Sequence, residues 1–217
     1  MNPPYLVLDI ETAPLAESEL IFPEFSAPSN YKDAEKIAAN IAEQRIKFVE
    51  RAALSATSGK ILAIGVMDPI TNDARFYHGE DEHKLLQEFL LTEDARHFIG
   101  HNLVGFDLPF MKRRYWKHGL WLNVKLDRRE HFDTMIEYSC GNREDRISLD
   151  GLAKFLGQGE KNGSGKDFAA IYRRNPEAAL AYLHNDLKLT LACARVMGIT
   201  SEAIMKQVAN LNLDSFK

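Results

Sequence analysis

The chain has 217 residues, 45% of them apolar and 27% charged, with a net charge of −4; this is the composition of an ordinary globular domain with room for a substantial core. No overall basic signature marks a nucleic-acid binder, so any such contact has to come from a local patch. No apolar run reaches the ~18 residues of a membrane span, the N-terminus has no secretory pattern, and Cys140 and Cys193 lack metal spacing, so a cytoplasmic protein without membrane contact is expected.

Taken in order, Tyr5 to Leu8 reads as a buried strand that ends in two carboxylates, Asp9 and Glu11. Strand side chains alternate faces, so these acids point the same way and Ile10 the other. Two like charges this close raise each other's cost of ionisation, and a cation belongs between them. Three prolines (Pro14, Pro23, Pro28) then mark an irregular excursion, followed by an amphipathic helix carrying Ile37, Ile41, Phe48 and Val49 and broken by Gly59. Residues 13–59 are too long for an ordinary connection and are expected to be an insertion outside the core sheet, within a single domain spanning 1–217.

Beyond the insertion, Lys60 to Asp68 predicts a buried strand, Ala74 to Gly79 a shorter one, Asp81 to Ala95 a helix and Arg96 to Asn102 another strand. Asp107 opens a helix with Pro109 in its first turn and Gly119 after its end, and Ser148 to Gly157 is a short helix. The longest helical run starts at Asn175 as cap with Pro176 at its first position and closes at Gly198. Early strands followed by alternating helices predict an α/β fold on a mixed β-sheet flanked by helices.

Two further acids are candidates to join Asp9 and Glu11. Asp107 follows Asn102, Leu103 and Phe106 in N-x-x-x-F-D, where an aspartate also serves as an ordinary helix-start residue. Tyr182 and Asp186 lie four apart, hence on one face of the long helix. Each feature alone has a structural explanation. Together they offer the oxygen-rich set that Mg²⁺ or Mn²⁺ takes, and a pair of ions ~3.5–4 Å apart can activate water and stabilise a phosphodiester's leaving oxygen.

The ordered motifs D-I-E-T (Asp9 to Thr12), N-x-x-x-F-D (Asn102 to Asp107) and Y-x-x-x-D (Tyr182 to Asp186) resemble those of the DEDD 3′–5′ exonucleases, whose fold is ribonuclease-H-like; the tyrosine resembles the DEDDy branch. Within it, the chain is similar to the exonuclease domain of B-family DNA polymerases and to free-standing relatives of that domain, from Tyr5 to Ala194 apart from the insertion, and no polymerase palm or thumb follows. The segments around Asp133 and from Ser148 to Gly157 resemble helices between the second and third motifs.

The resemblance implies that Asp9 bridges two Mg²⁺ or Mn²⁺ ions, that Glu11 and Asp186 hold the ion activating water, that Asp107 serves the second ion, and that Tyr182 orients the water. It implies that Thr12 and Asn102 meet the terminal nucleotide and that Leu103 or Phe106 stacks or wedges against bases. The expected partner is a nucleic acid with a free 3′ end, DNA ahead of RNA and single-stranded by preference, with a protein partner conceivable for the insertion. An exoribonuclease is the nearest alternative. A catalytically silent binding or scaffold module is an alternative of another class, against which the four intact acids speak.

Other signals are declined. Gly159 to Asp167 imitates a phosphate-binding loop, but the glycine spacing is wrong and no strand precedes it, so a solvated connection is expected for Lys161 and its neighbours. The run Lys112 to Lys117, with Tyr115 and Trp116, reads equally as a backbone-contacting patch or as an outer helix face. Residues 125–129 pose the same choice. His184 lies off the Tyr182 face and is left out of the site.

Overall fold

The computed structural model of the protein describes residues 5–93, 97–142, 144–163 and 165–199. Strand β1 runs Tyr5–Pro14 and does not stop at the acids as expected. It continues because Glu11, Thr12, Ala13 and Pro14 find antiparallel partners in Ala63, Ile61, Lys60 and Gly59 of β2 (Gly59–Met67), with the register slipping between Glu11 and Thr12. Asp9 and Glu11 are therefore held from within a paired strand, where the pleat fixes their direction.

The pairing also corrects the ends of the segment read as an insertion. Ala13, Pro14 and Gly59 belong to the sheet, and Leu15 N–H extends the ladder by donating to Ser58 O at 2.9 Å. Between them stand α1 (Ala34–Glu50), capped by the Asp33 carboxylate, and a 3-10 turn at Ala52–Leu54. No residue of α1 is buried. Its Phe48 ring meets Phe22 and Phe25 at 5.3 and 6.1 Å, so the helix packs chiefly on its own segment. Ala52 and Ala56, by contrast, are buried in the body.

Strand β3 (Ala74–His78), helix α2 (Glu82–Thr92) and strand β4 (His97–Gly100) follow as expected in kind; Asp94 to Arg96 lie outside the described residues. Helix α3 (Asp107–Lys117) precedes a two-residue strand β5 (Phe132–Asp133) that runs into α4 (Thr134–Ser139). Then come α5 (Leu149–Phe155), α6 (Phe168–Arg174) and α7 (Pro176–Val196), the last capped by Asn175. The five strands form one mixed sheet in the order β3-β2-β1-β4-β5, with β1 central, antiparallel to β2 and parallel to β4.

Alternation along β1 assigns the layers. Leu6, Leu8 and Ile10 pack with Leu86 and Phe89 of α2 and Leu108 and Met111 of α3. Tyr5 and Val7 pack with Leu187 and Leu191 of α7, and Ala13 with Tyr182 and Leu183. Asp9 and Glu11 share that second parity, so the sheet delivers both acids to the α7 side.

A buried node ties the layers together. Arg114 of α3 bonds both Glu82 oxygens and donates to Ala56 O at 2.9 Å, while Glu82 accepts Ile61 N–H at 2.7 Å. Arg114 and Tyr115 thus face inward, and only part of the basic run on α3, including half-exposed Trp116, is left outside. In the 125–129 run, Arg129 pairs with Asp127 and Lys125 with Glu130. Cys140 is exposed and Cys193 buried, both free, and no helix among the described residues is long and apolar enough to cross a membrane.

Candidate metal centre

Strand β4 pairs with β1 only at Tyr5, Leu6 and Val7. Past Val7 that edge of β1 is open, and the start of α3 fills it: Asp107, at the first helical position, accepts the Ile10 N–H at 3.1 Å through Oδ1. The turn into α3 is built for this approach. Asn102 takes a left-handed φ of 58°, and a Cβ at Gly105 would run into the Asn102 amide oxygen. Asp133 clamps the turn, its carboxylate accepting from Asn102 N and Val104 N at 2.9 and 3.0 Å while also capping α4.

On the other face, Asp9, Glu11 and Asp186 each bring a carboxylate oxygen within 4.8 Å of the others. Tyr182, one turn before Asp186 on α7, is 5% exposed, and its hydroxyl and Asp186 Oδ1 are buried with no hydrogen-bond partner among the described residues. Asp107 stands outside the three-acid group, although its charge is felt at Glu11 and the Asp9 charge is felt at Asp107.

The electrostatics follow from burial. Desolvation pushes Asp9 up to about 7, reinforced by the Asp186 carboxylate and opposed by Lys161. Desolvation, then Asp9 and Asp186, raises Glu11 well above the usual carboxylate range, and desolvation with Asp9 does the same to Asp107. Asp186 is raised by burial and pulled back by Lys161. Burial and the Asp186 and Glu11 charges hold the Tyr182 phenol protonated. Four crowded acids that resist ionisation, with two buried oxygens unpartnered, suit a bound divalent cation with hard oxygen ligands.

Lys161 was not foreseen in this place. Its ammonium pairs with Asp186 Oδ2 and lies 5.1 Å from the Tyr182 ring centroid. The glycine-rich connection expected to be solvated runs against the acids: a Cβ on Gly163 would come within 3.1 Å of the Tyr182 ring, and one on Gly165 within 3.6 Å of Glu11 Oε2. At Gly163 the missing side chain eases a tight approach, whereas at Gly165 a Cβ would make only ordinary contact.

Among the residues expected to meet substrate, the outcomes differ. Leu103 is fully buried in the core, beneath Gly100, and the expectation that it wedges against bases is corrected. The Thr12 hydroxyl donates to Ala53 O at 2.7 Å, so it serves the end of the inserted segment. Asn102 and Phe106 are partly exposed at the α3 turn, with the Phe106 ring tilted against Phe110 at 5.5 Å. His184 meets Phe76 at 5.9 Å, away from the acids.

Comparison with known proteins agrees with this architecture. The structure is similar to that of the family B DNA polymerase from the hyperthermophilic archaeon Pyrobaculum calidifontis, with a TM-score of 0.56 and 15% identity over 89% of this chain. The chain spans only 24% of that polymerase, and the likeness is one of fold. No curated protein matches in sequence. A profile of the RNase_H superfamily matches residues 49–188, from the end of α1 to just past Asp186, which is more than half of the sequence. The chain belongs to the RNase_H superfamily.

Proposed function

We propose that this protein is a metal-dependent 3′–5′ exonuclease that hydrolyses phosphodiester bonds at the 3′ end of DNA, single-stranded by preference. The observation that carries the reading is the convergence of Asp9, Glu11 and Asp186 within 4.8 Å, from a strand and a helix far apart in sequence. The fold and the superfamily support a nuclease; polarity and substrate rest on the motif resemblance.

In this reading Asp9, Glu11 and Asp186 would hold one Mg²⁺ or Mn²⁺ ion, and Asp107 with Asp9 would serve a second. Bound ions of this kind make water a nucleophile at neutral pH and stabilise developing charge on phosphate oxygens. The protein's own contribution is placement. Sheet pairing fixes Asp9 and Glu11, the Ile10 N–H fixes Asp107, and α7 carries Tyr182 and Asp186 one turn apart. A tyrosine hydroxyl, with a pKa near ~10 when free and shifted up here by burial, would orient the attacking water rather than deprotonate it. Asn102 and Phe106, partly exposed at the α3 turn, would meet the terminal nucleotide in this reading.

The test is to incubate 5′-labelled single-stranded DNA and RNA with Mg²⁺ or Mn²⁺. A ladder of stepwise shortened DNA supports the proposal. Shortening of RNA alone would make the protein an exoribonuclease. Internal cleavage, or no cleavage with either ion, would sink the reading.

A further inference from the structure

We propose that Lys161 is the resident cation of the metal-free site, and that a divalent ion enters by displacing its ammonium from Asp186. The lysine then sets the metal concentration at which the site fills. This inference rests on reading Asp9, Glu11 and Asp186 as metal ligands.

Three observations carry it. The Lys161 ammonium is paired with a carboxylate of the acid group itself, at Asp186 Oδ2, and lies over the Tyr182 ring. Asp186 is 2% exposed, so the pairing is largely shielded from solvent, where opposite charges interact most strongly. Finally, the lysine comes from outside the strand and helix that present the acids, and its backbone is held independently of them. Its N–H donates to Asp150 Oδ1 at 2.9 Å, and the other Asp150 oxygen accepts Lys154 Nζ at 2.8 Å. The connection can therefore stay in place while the flexible four-carbon side chain swings away.

The exchange also follows from charge. One ammonium pairs with a single carboxylate oxygen of the group, whereas a divalent ion takes oxygens from several acids at once. An ammonium and a metal ion cannot share Asp186 Oδ2 without strong like-charge repulsion. Binding of the ion and pairing of the lysine are alternatives at that oxygen.

The test is Mn²⁺ titration of the full chain without nucleic acid, followed by calorimetry or by loss of the free Mn²⁺ resonance signal. Lys161→Met should bind Mn²⁺ about tenfold more tightly or better, as expected when a close, desolvated competitor charge is removed. Lys161→Gln gives a second neutral variant in case methionine packs badly, and Lys161→Arg should stay nearer to wild type than either. In chelator the neutral variants should melt below wild type, because the acids lose their counter-charge, and Mn²⁺ should erase the difference. Unchanged or weaker Mn²⁺ binding by both neutral variants would overturn the exchange and leave the metal centre standing. Failure of the wild-type chain to bind Mn²⁺ would overturn both.

Discussion

The Asp107 carboxylate accepts the backbone N–H of Ile10 at 3.1 Å, joining the first turn of α3 to the residue between the two acids of β1. One side chain thus does two jobs: it closes the open edge of the central strand and brings a fourth carboxyl group close enough for the Asp9 charge to be felt there. The two jobs separate by substitution. Asp107→Asn keeps an acceptor for Ile10 and should retain the fold, while losing the charge needed for the second ion. Asp107→Ala leaves a buried N–H unsatisfied, a loss of ~1–3 kcal/mol. At ~2–4 °C per kcal/mol for a chain of this size, thermal melts in chelator should rank Ala clearly below Asn, with both variants poor nucleases. Equal melting temperatures would mean that the Ile10 contact contributes nothing to stability.

Stability without metal should fall as pH rises. Asp9 is lifted from an ordinary 3.8 to about 7, and Glu11, Asp107 and Asp186 are also raised, so through this window the folded chain holds protons that the unfolded chain has released. The contribution is fully present below the unfolded values and is lost as pH climbs through the folded ones. Saturating Mn²⁺ reverses the trend, because the ligands must deprotonate to bind it and bound metal stabilises the fold. Melting temperature measured from pH 5 to 8, with chelator and with Mn²⁺, should give slopes of opposite sign. Asp9→Asn should flatten the chelator slope. Parallel curves would show that the acids do not bind the ion.

The segment after β1 divides into a removable part and a structural part. Replacing residues 21–50 with a flexible Gly/Ser linker removes α1, which buries nothing, and should keep the fold. Deleting all of 13–59 removes the Pro14–Gly59 pairing, the Ala53 acceptor of Thr12 and the Ala56 carbonyl that Arg114 uses, and should leave no cooperative melt. The shorter deletion is also the means to find out whether the segment shapes substrate access or engages a protein partner, by comparing strand preference and processivity. A foldable 13–59 deletion would place the whole segment outside the core.

Spacing puts Asp9 and Glu11 on one strand face and Tyr182 and Asp186 one helical turn apart. Each pair alone has a structural explanation, and it is the ordered motifs and their family resemblance that join them into one candidate site. Strand β1 was cut short because its last residues are held by partners nearly fifty positions away, which no local period reveals. Strand β5 is two residues long and exists only by pairing with Ile99 and Gly100. Helix α6, with Phe168 and Tyr172 one turn apart on its buried side, was hidden behind the glycine-rich stretch. Leu103 misled because proximity to a motif says nothing about direction; the left-handed Asn102 sits just before it, and its side chain lies against Gly100 in the core. Lys161 carried no periodic signal at all, since a long side chain on a loop reaches its target only through tertiary structure.

Tyr182 poses the sharpest test of the mechanism. Its hydroxyl is buried, has no hydrogen-bond partner among the described residues, and sits one helical turn from Asp186. A free phenol, with a pKa near ~10, is a poor base at neutral pH, and burial shifts this one further up. In the proposed mechanism Tyr182→Phe removes an orienting group and no ligand. It should leave Mn²⁺ affinity and the melting temperature close to wild type. Positioned proton-transfer groups contribute ~10²–10⁴-fold, and an orienting hydroxyl should fall at or below the lower end of that range. Asp186→Asn withdraws both a proposed ligand and the partner of Lys161, so it should weaken Mn²⁺ binding and cost far more turnover. Turnover and Mn²⁺ affinity measured side by side separate the two roles. Full activity in Tyr182→Phe would make the tyrosine a packing residue between Phe168 and Leu183, with the water oriented by the acids alone.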